Sequence, residues 1–401
     1  MTSILPQDLL ADTTFADATN KAADWPDATR PPAVDVPPEP ALARVLHVTE
    51  SAFGGVGSYL NQILPALPHA MRLVIPESDR LMVPDVPPGQ IVGYRRQGRS
   101  LRSLARLART VLATGRHWRP DVVHLHSTFA GLVLRPLLVV TRRMWGWPDH
   151  VVYTAHGWAF DITGSPGRAR MVAWVERVLA RVTDRIVTLS RRETETCLAY
   201  GFPPEKLVLI YNGIADRPPA SPAPWPDARR KVLFVGRFDR QKGLDVLFEA
   251  LRPHQDALVA RCVGASVVGG GMPADLPPNV ELIGWQSAAE IGALMAACDL
   301  VVMPSRWEGF GLVAVEAMRA ARMIVASNVG GLPEVVADGV TGRIIPAEDA
   351  TALAEAMLAD DAATRAAMGR AGRARFEAMF TRERSAAAVG EIYAALRATR
   401  A

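Results

Sequence analysis

Short apolar runs alternate with stretches of helical periodicity along most of this chain, and this alternation is typical of a parallel α/β sheet. In the first half the runs predict six strands: Val45–Thr49, Arg72–Ile75, Val122–Leu125, Val151–Thr154, Arg185–Thr188 and Leu207–Tyr211. In the second half they predict six more: Val232–Val235, Val259–Val263, Val280–Ile283, Leu300–Met303, Ile324–Ala326 and Arg343–Ile345. The pattern therefore predicts two Rossmann-like domains, each with a parallel sheet, that face each other across a cleft.

Breaks in this pattern set the expected domain boundaries. Residues 1–41 are rich in Ala, Asp, Thr and Pro and have no sustained period, which predicts a disordered tail. Residues 216–229 contain five prolines and predict a linker. This linker would separate an N-terminal domain at 42–215 from a C-terminal domain at 230–380. The last segment, 381–401, has the composition of a helix.

The overall composition is that of an ordinary globular protein, with 49% hydrophobic and 21% charged residues. No apolar run approaches the roughly 18–20 residues of a membrane span. The first residues lack the basic start and apolar core of a secretory signal. Cys197, Cys262 and Cys298 are far apart, which favours neither a disulfide framework nor a zinc site. We therefore expect a cytoplasmic protein that needs no metal ion and no other cofactor.

Positive charge is concentrated in the first half of the chain. Residues 42–215 carry 22 Lys/Arg against 12 Asp/Glu, whereas residues 1–41 have a net charge of −5. The segment from Arg95 to Arg119 contains eight arginines and no acidic residue. Helical spacing places Leu101 and Leu104 on its apolar side and aligns a stripe of arginines on the other. The stripe consists of Arg99, Arg102, Arg106 and Arg109.

This arginine stripe has two interpretations. It can be the solvated face of a packed helix, yet aligned cations repel each other unless something anionic offsets them, and lipid headgroups would do so. Arg142, Arg143, Trp145 and Trp147 add residues typical of a membrane interface. No recognition motif supports nucleic-acid binding. We therefore expect an anionic membrane surface as a partner, at the inner face of the plasma membrane.

Two glutamates, Glu308 and Glu316, bracket a glycine turn that follows a predicted strand. Gly309 and Gly311 let the backbone turn tightly and approach a ligand. A helix begins near Leu312, and its N-terminus offers free N–H groups to an anion. Because carboxylates accept hydrogen bonds from vicinal hydroxyls, the motif suits a sugar attached to a phosphate. Either glutamate alone is more simply a helix-terminal or solvated charge.

A second loop weighs against that simpler interpretation. It follows the predicted strand Val232–Val235 and carries Arg237 and Lys242, five residues apart. Together these side chains can clamp a diphosphate, the arginine through its planar fork and the lysine as a point charge.

In order and spacing, six short motifs resemble those of the retaining glycosyltransferases of family 4, the group 1 glycosyltransferases of bacterial polysaccharide biosynthesis. The motifs are Gly54-Gly55-Val56-Gly57, Ala155-His156-Gly157, Asn212-Gly213, Gly236-Arg237 with Lys242-Gly243, Glu308 to Glu316, and Gly330-Gly331-Leu332-Pro333-Glu334. The resemblance runs from about Arg44 to the C-terminus. It implies the GT-B fold, in which two Rossmann-like domains face a cleft and the last helix crosses back to the N-terminal domain.

The resemblance also implies roles for individual residues. A nucleotide-diphosphate sugar would bind mainly to the C-terminal domain, with Glu316 on the ribose and Glu308 on the donor sugar. Arg237 and Lys242 would neutralise the diphosphate in place of a metal ion, and His156 would orient the donor sugar. The other positions assigned to the donor are Gly55, Gly57, Gly236, Gly309, Phe310, Gly311 and Leu312.

Other candidates stay open between a functional and a structural role. The first glycine loop lacks a third glycine at position 60, so it does not predict NAD binding. His124 and His126 share one face of a strand; local hydrogen bonds suffice for His124, whereas His126 is a candidate for the acceptor side. Ser190 either caps a helix or faces the cleft. The further cleft candidates are Asn212, Gly330 and Gly331.

One turn departs from the family pattern. Relatives commonly carry a Gly-Asp-Gly-Pro-like turn after the second strand of the C-terminal half. This chain has Val263-Gly264-Ala265-Ser266 instead, followed by Gly269-Gly270-Gly271. The departure puts the local contacts near the nucleotide in question.

The implied activity is metal-independent transfer of a hexosyl group, with retention of anomeric configuration, from a GDP- or UDP-sugar. The acceptor we expect is a lipid-linked saccharide of a surface polysaccharide, for example an exopolysaccharide. The alternative is a non-catalytic protein of the same fold that binds nucleotide sugars or docks on membranes. A pyridoxal-dependent phosphorylase is disfavoured, since no lysine has a convincing context for the cofactor.

Overall fold

The computed structural model describes residues 43–98, 100–162, 165–266 and 275–399. These residues form two fully parallel sheets, one of seven strands in the order β3-β2-β1-β4-β5-β6-β7 and one of six in the order β10-β9-β8-β11-β12-β13. In each sheet the strand order reverses beside the first strand, and open α/β sheets bind ligands at such reversals.

The strands of the first sheet are β1 (Arg44–Thr49), β2 (Ala70–Pro76), β3 (Ile91–Tyr94), β4 (Val122–His126), β5 (His150–Thr154), β6 (Arg185–Thr188) and β7 (Leu207–Leu209). Those of the second are β8 (Arg230–Val235), β9 (Leu258–Val263), β10 (Val280–Gly284), β11 (Leu300–Met303), β12 (Met323–Ser327) and β13 (Gly342–Ile345).

The helices that accompany the first sheet are α1 (Gly55–Ile63), α2 (Leu101–Trp118), α3 (Thr128–Trp145), α4 (Ala159–Ile162), α5 (Pro166–Ala180) and α6 (Arg191–Ala199). The later helices are α7 (Leu244–Leu251), α8 (Ala288–Ala297), α9 (Leu312–Arg319), α10 (Leu332–Val335), α11 (Ala350–Ala359), α12 (Ala362–Met379) and α13 (Arg382–Ala398).

The predicted pair of parallel-sheet domains is confirmed, and every predicted strand overlaps an observed one. Strand β3 was missed because it is a four-residue edge strand that follows a turn at Pro88–Gln90. It pairs with β2 and is only half-buried along most of its length, so it lacks the apolar signal of the inner strands. The predicted tail at 1–41 lies outside the described residues.

The proline-rich linker is packed against the C-terminal half. Trp225 is buried, with the Arg261 guanidinium 4.6 Å from its ring centroid. The backbone N–H of Ala223 donates to the carbonyl of Ala293 at 2.9 Å. A linker held in this way restricts the relative motion of the two halves more than a free tether would.

The last helix returns to the first sheet, as the fold predicts. The chain enters α13 through a bridge between Ile214 and Thr381, where a Cβ on Gly213 would lie 2.0 Å from the Thr381 carbonyl oxygen. Helix α13 then packs on α1. Its Tyr393 is fully buried and reaches the middle of the first sheet.

The basic helix α2 begins after Ser100, whose hydroxyl accepts a hydrogen bond from the N–H of Ser103. Its buried residues include Leu107 and Val111, whereas Arg102 and Arg109 are exposed and Arg106 is half-buried. Arg99 lies outside the described residues.

Two apolar residues of this region do not lie where the sequence suggested. Leu101 is 85% exposed, not on the core side of α2, because the helix starts at this residue. Trp147 is buried beneath α2, where a Cβ on Gly115 would lie 2.0 Å from its ring, so it cannot contribute to a membrane interface.

Candidate active site

The loop that carries Glu308 is held by the glycine turn at Gly330. A Cβ at Gly330 would lie 1.6 Å from the Glu308 carbonyl oxygen, and its φ of +54° also favours glycine. The N–H of Gly331 donates to the carbonyl of Gly309 at 3.1 Å. Gly311, with φ +95°, then turns the chain into α9. The two glycine motifs predicted as separate sites therefore form one structure.

Lys242 and Glu308 form an ion pair between the two loops predicted to hold the donor. Their side chains are only 16% and 12% exposed. The Ser305 hydroxyl also approaches the Glu308 carboxylate, at 3.5 Å. Because a largely buried pair is little screened by water, each charge depends strongly on the other.

Arg237 lies on the same loop as Lys242 and is held beside it. Its Nη2 donates to Oε1 of Gln241 at 2.8 Å and lies 3.1 Å from a carboxylate oxygen of Asp239. The other carboxylate oxygen of Asp239 accepts from the N–H of Lys242 at 3.3 Å. The structure thus brings Arg237, Lys242 and Glu308 together at the carboxyl ends of β8 and β11.

The turn that departs from the family pattern supports this loop. Gly264 has φ +140°, and a Cβ there would lie 1.9 Å from the carbonyl oxygen of Gly236. The N–H of Phe238 donates to the carbonyl of Ala265 at 3.0 Å. Gly264 therefore permits close approach of the Arg237 loop. Gly269, Gly270 and Gly271 lie outside the described residues.

Glu316 lies on the less buried face of α9, together with Leu312 and Arg319. Its carboxylate has no hydrogen-bond partner among the described residues. Desolvation raises the pKa of Glu316 above its ordinary value, an effect opposed by Arg319 and Arg217. A desolvated, unpartnered carboxylate gains from hydroxyl donors, so Glu316 is well suited to accept hydrogen bonds from a ligand.

The side chain of Phe310 does not face a ligand. It is buried and stacks on Tyr211 with ring centroids 5.9 Å apart, and Phe380 packs against it at 5.8 Å. Only the backbone of Phe310 therefore remains for the contact with the donor that was expected at this position.

His156 lies where the two halves meet. It follows β5 with a φ of +57°, an uncommon conformation for a residue other than glycine. A Cβ on Gly309 would lie 3.6 Å from its carbonyl oxygen. Burial lowers the pKa of His156 to about 3, so its ring is neutral at physiological pH.

His126 is fully buried and lies behind His156, not on the cleft surface where an acceptor would bind. Its Nδ1 is 3.0 Å from Nε2 of His156 and its Nε2 is 3.1 Å from Nδ1 of His47. His126 was left open as a candidate for the acceptor side, and its burial excludes that role, because β4 directs it into the sheet–helix interface. His124 is satisfied locally, by Tyr393 at 2.6 Å and Thr154 at 2.8 Å.

Three of these rings also have the spacing of metal ligands. Among the described residues, His47, His124 and His126 are the one group whose ligand atoms all lie within 4.8 Å of one another. Sequence reasoning missed the cluster because His47 lies on a different strand, 79 residues from its hydrogen-bond partner His126.

Of the remaining candidates from the N-terminal half, Ser190 and Gly57 have structural roles, whereas Gly55 and Asn212 stay available to a ligand. The Ser190 hydroxyl accepts from the N–H of Glu193 at 3.1 Å and so caps α6. A Cβ on Gly57 would lie 1.8 Å from the carbonyl oxygen of Ala52, so this glycine serves packing. Gly55 is open to a ligand. The buried Oδ1 of Asn212 has no partner among the described residues.

Glu334 joins the two halves, and the sequence did not predict this role. Its carboxylate oxygens accept from the N–H groups of Arg191 and Arg192, at 2.8 and 2.9 Å, at the start of α6. The hydroxyl of Tyr211 donates to the same carboxylate at 2.9 Å. A carboxylate at a helix N-terminus is stabilised by the helix dipole, so Glu334 fastens the C-terminal half to α6.

Comparison with known proteins gives matches over both halves. Residues 229–359 match the family described as glycosyl transferases group 1, and residues 54–213 match the glycosyl transferase 4-like domain. The chain is 30% identical over 324 residues to an uncharacterized 41.2 kDa protein in the cps region of Klebsiella pneumoniae, covering 78% of this chain and 88% of that one. It is 31% identical to a glycogen synthase of Mycobacterium tuberculosis over 71% of each chain.

A solved structure with the same fold is HepE of Anabaena, in complex with UDP-glucose. Its TM-score is 0.74 at 22% sequence identity, and the alignment covers 88% of this chain and 100% of that one. This similarity establishes the two-domain GT-B fold. Together with the family matches and the motifs gathered around Lys242 and Glu308, it shows that the chain belongs to the group 1 glycosyltransferases of family 4.

Proposed function

We propose that this glycosyltransferase moves a hexosyl group from a nucleotide-diphosphate sugar to a saccharide acceptor of surface polysaccharide synthesis, with retention of configuration and without a metal ion. The observation that carries the proposal is the convergence of Arg237, Lys242 and Glu308 on two loops at the carboxyl ends of parallel strands. One end of this group is cationic and the other acidic, which matches a diphosphate attached to a sugar.

The charges of these residues indicate which part of the donor each one would contact. Arg237 and Lys242 would face the diphosphate and offset the charge that grows as the glycosidic C–O bond breaks, so they stabilise the transition state more than the bound donor. Glu308 and His156 would lie beside the sugar. Glu316, which lies one helical turn into α9, would accept hydrogen bonds from the ribose hydroxyls.

The acceptor is proposed from the setting of the relatives. The Klebsiella pneumoniae relative is described by its place in a cps region, and HepE was solved with UDP-glucose. We therefore propose a lipid-linked saccharide as the acceptor. For the donor, UDP is the first nucleotide to test and GDP is the alternative. The anomeric configuration of the product, read by NMR against that of the donor, tests retention.

Thermal stability with a panel of nucleoside diphosphates tests the donor site. A nucleotide at about a hundred times its dissociation constant should stabilise the protein by roughly 2.7 kcal/mol. We expect UDP or GDP to raise the Tm of the wild type by several degrees, and Lys242→Ala and Glu316→Ala to lose most of that shift. Gln90→Ala, in the N-terminal half, is the matched control and should keep it. Equal responses of all nucleotides, or none, would refute the proposed donor site.

A non-catalytic protein of this fold would give the same nucleotide response. Turnover distinguishes the two, because the proposed enzyme consumes donor only when a suitable acceptor is present, whereas a binding protein returns it unchanged. Chelation of divalent ions should leave the rate unaltered if Arg237 and Lys242 replace the metal.

A membrane surface as partner is supported by the outer faces of α2, α3 and α5, three helices that pack side by side on the first sheet. Among the residues of these three helices Glu176 is the one acidic side chain, and it is buried in an ion pair with Arg135. None of the helices in the described part of the chain has the length and apolarity that crossing a membrane requires.

These faces combine exposed apolar and cationic side chains. The exposed apolar residues include Leu132, Val140, Met144 and Trp145 on α3 and Met171, Trp174 and Val178 on α5. The exposed arginines include Arg102, Arg109, Arg116, Arg143, Arg168 and Arg170. Apolar groups that enter the headgroup region and arginines that meet anionic lipid together fit a bilayer surface. We propose that this layer, including the Arg102–Arg109 stripe, rests on an anionic membrane.

Vesicle co-sedimentation tests the membrane proposal. We expect the wild type to bind phosphatidylglycerol-containing vesicles and to release at high salt, and Trp174→Ser to weaken binding about tenfold, since it removes a large apolar group. The matched control is Trp285→Ser: Trp285 is 60% exposed in the C-terminal half, close to the 58% of Trp174. Equal losses for both variants, or equal binding to neutral vesicles, would contradict the proposal.

A further inference from the structure

A chain of three histidines leads from the proposed donor site into the N-terminal sheet. His156 Nε2 lies 3.0 Å from His126 Nδ1, and His126 Nε2 lies 3.1 Å from His47 Nδ1. His126 and His47 are fully buried, on β4 and β1, and their rings are stacked with centroids 5.4 Å apart. Tyr59 of α1 covers the outer end of the chain, with its ring 4.7 Å from that of His156.

The rings of this chain are neutral, and that restricts where their protons can be. A neutral imidazole has one N–H donor and one bare nitrogen. Each N···N hydrogen bond needs one of each, so all the N–H groups must point the same way along the chain. Only two arrangements satisfy both bonds. In one of them every proton points from His47 toward His156, and in the other every proton points back toward His47.

The inner end of the chain distinguishes the two arrangements. Nε2 of His47 is buried and has no partner among the described residues. If the protons pointed inward, this atom would carry a buried N–H without an acceptor. If they point outward, it is a bare nitrogen, and an unsatisfied buried acceptor is more often tolerated than an unsatisfied donor. The outward arrangement is therefore favoured.

We propose that His47 and His126 are positioning residues that fix His156 as the Nδ1–H tautomer, so that it presents a hydrogen-bond donor to the sugar or phosphate oxygens of the donor substrate. The contact of this N–H group with the donor substrate rests on the proposed function, whereas the tautomer itself does not. His47 is two hydrogen bonds from His156 and has no route to the substrate, so any effect it has on turnover passes through the chain.

A metal ion held by His47, His124 and His126 is the competing explanation for the cluster. It fits the bonding less well. Both ring nitrogens of His124 and of His126 already have partners, and a shared ion would have to displace several of these hydrogen bonds. The histidine chain, together with the bonds of His124 to Tyr393 and Thr154, leaves Nε2 of His47 as the one unexplained ring nitrogen of this cluster.

The first test is a direct measurement of the tautomer by ¹⁵N NMR on histidine-labelled protein, which needs no substrate. We expect the His156 ring to carry its proton on Nδ1 in the wild type, and a mixture of tautomers in His47→Leu. His47→Asn should restore the Nδ1–H form, because its side-chain amide can donate to His126. An Nε2–H form of His156 in the wild type would overturn the proposal, as would stoichiometric zinc whose removal rearranges the ring signals.

The second test is kinetic. His47→Leu should lower kcat about tenfold with little change in KM, as loss of one interaction in the transition state predicts, and His47→Asn should recover most of it. His124→Leu is the matched control, since His124 is equally buried on the same sheet face but outside the chain. Equal kcat values for the two leucine variants would refute the kinetic role. If no nucleotide sugar is turned over at all, the proposed function fails while the tautomer result stands.

Discussion

Replacing Lys242 by methionine is expected to lower kcat/KM about a thousandfold, the scale of losing a preorganised charge that stabilises a transition state. The same change leaves the carboxylate of Glu308 largely buried without its cation, since the two side chains form an ion pair. Breaking a buried pair on one side costs about 3 kcal/mol of folding free energy. The variant should therefore lose both activity and stability, and the two losses must be measured separately.

The double variant Lys242→Met with Glu308→Gln separates the loss of activity from the loss of stability. With both charges removed no unpaired charge remains buried, so most of the lost stability should return. Activity should not return, because the diphosphate still lacks its cation. Recovery of activity in the double variant would mean that the lysine serves only to neutralise Glu308, which would contradict the proposed role.

The ion pair of Arg343 with Asp360 provides a matched control. It joins β13 to the residue that follows α11, and the Asp360 carboxylate is almost completely buried. Arg343→Met should destabilise the protein by a similar amount and leave kcat per folded molecule unchanged. A thousandfold loss in this variant as well would show that activity follows stability and not the charge at Lys242.

The sequence predicted the sheets and the donor loops because these depend on local patterns. The buried strands are continuous apolar runs, and the glycines beside Glu308 and Arg237 mark turns that any chain of this fold must make. The pairing of Lys242 with Glu308 follows from the topology, since β8 and β11 are neighbours and their carboxyl ends meet at one edge of the sheet.

The contacts that the sequence did not predict are those that join distant segments. Glu334 reaches α6 across 143 residues of chain, and His47 meets His126 across 79. Helical spacing placed the arginines of α2 but not the apolar side chains of α3 and α5. Those apolar residues resemble core positions in sequence, and only the packed structure shows that nothing in the described part of the chain covers them.

The neutral histidines should also make the fold sensitive to acid. Burial lowers the pKa of His47 and of His156 to about 3, and it places the pKa values of His124 and His126 well below the ordinary value. The groups facing these rings are Tyr59, Tyr393 and His69, and His69 in turn faces Arg397. None of these groups is an acid that would stabilise a protonated ring.

The sign of the effect follows from proton binding. Below pH 6.5 the unfolded chain protonates these four histidines and the folded chain does not, so stability is present above that pH and falls as the pH drops toward the lowered values. Carboxyls whose pKa is raised act in the opposite direction, and Glu316 is one of them. Burial raises the pKa of Glu193 to about 8 and of Asp161 to about 6, so their contribution is present at low pH and lost as the pH rises.

The histidines prevail because they are more numerous: His69, whose pKa burial also lowers, adds to their side, whereas Glu316 adds to the side of the carboxyls. Near pH 5.5 the unfolded state binds about four extra protons on the histidines, and the folded state binds about two on the carboxyls. The net difference of about two protons makes the free energy of unfolding fall by about 3 kcal/mol per pH unit. Since the whole stability of a domain is about 5–15 kcal/mol, this slope should remove a large part of it between pH 6.5 and pH 5.

Urea unfolding between pH 4.5 and 8 measures this slope, and two variants assign it. His47→Asn removes one of the histidines that the unfolded state protonates. The difference in bound protons near pH 5.5 should therefore fall from about two to about one. Glu193→Gln removes one opposing carboxyl, so its slope should rise to about three protons, and at pH 8 it should be more stable than the wild type. A wild-type stability that is flat down to pH 4.5 would mean that the histidines are protonated in the folded state, which the hydrogen-bonded chain of neutral rings does not permit.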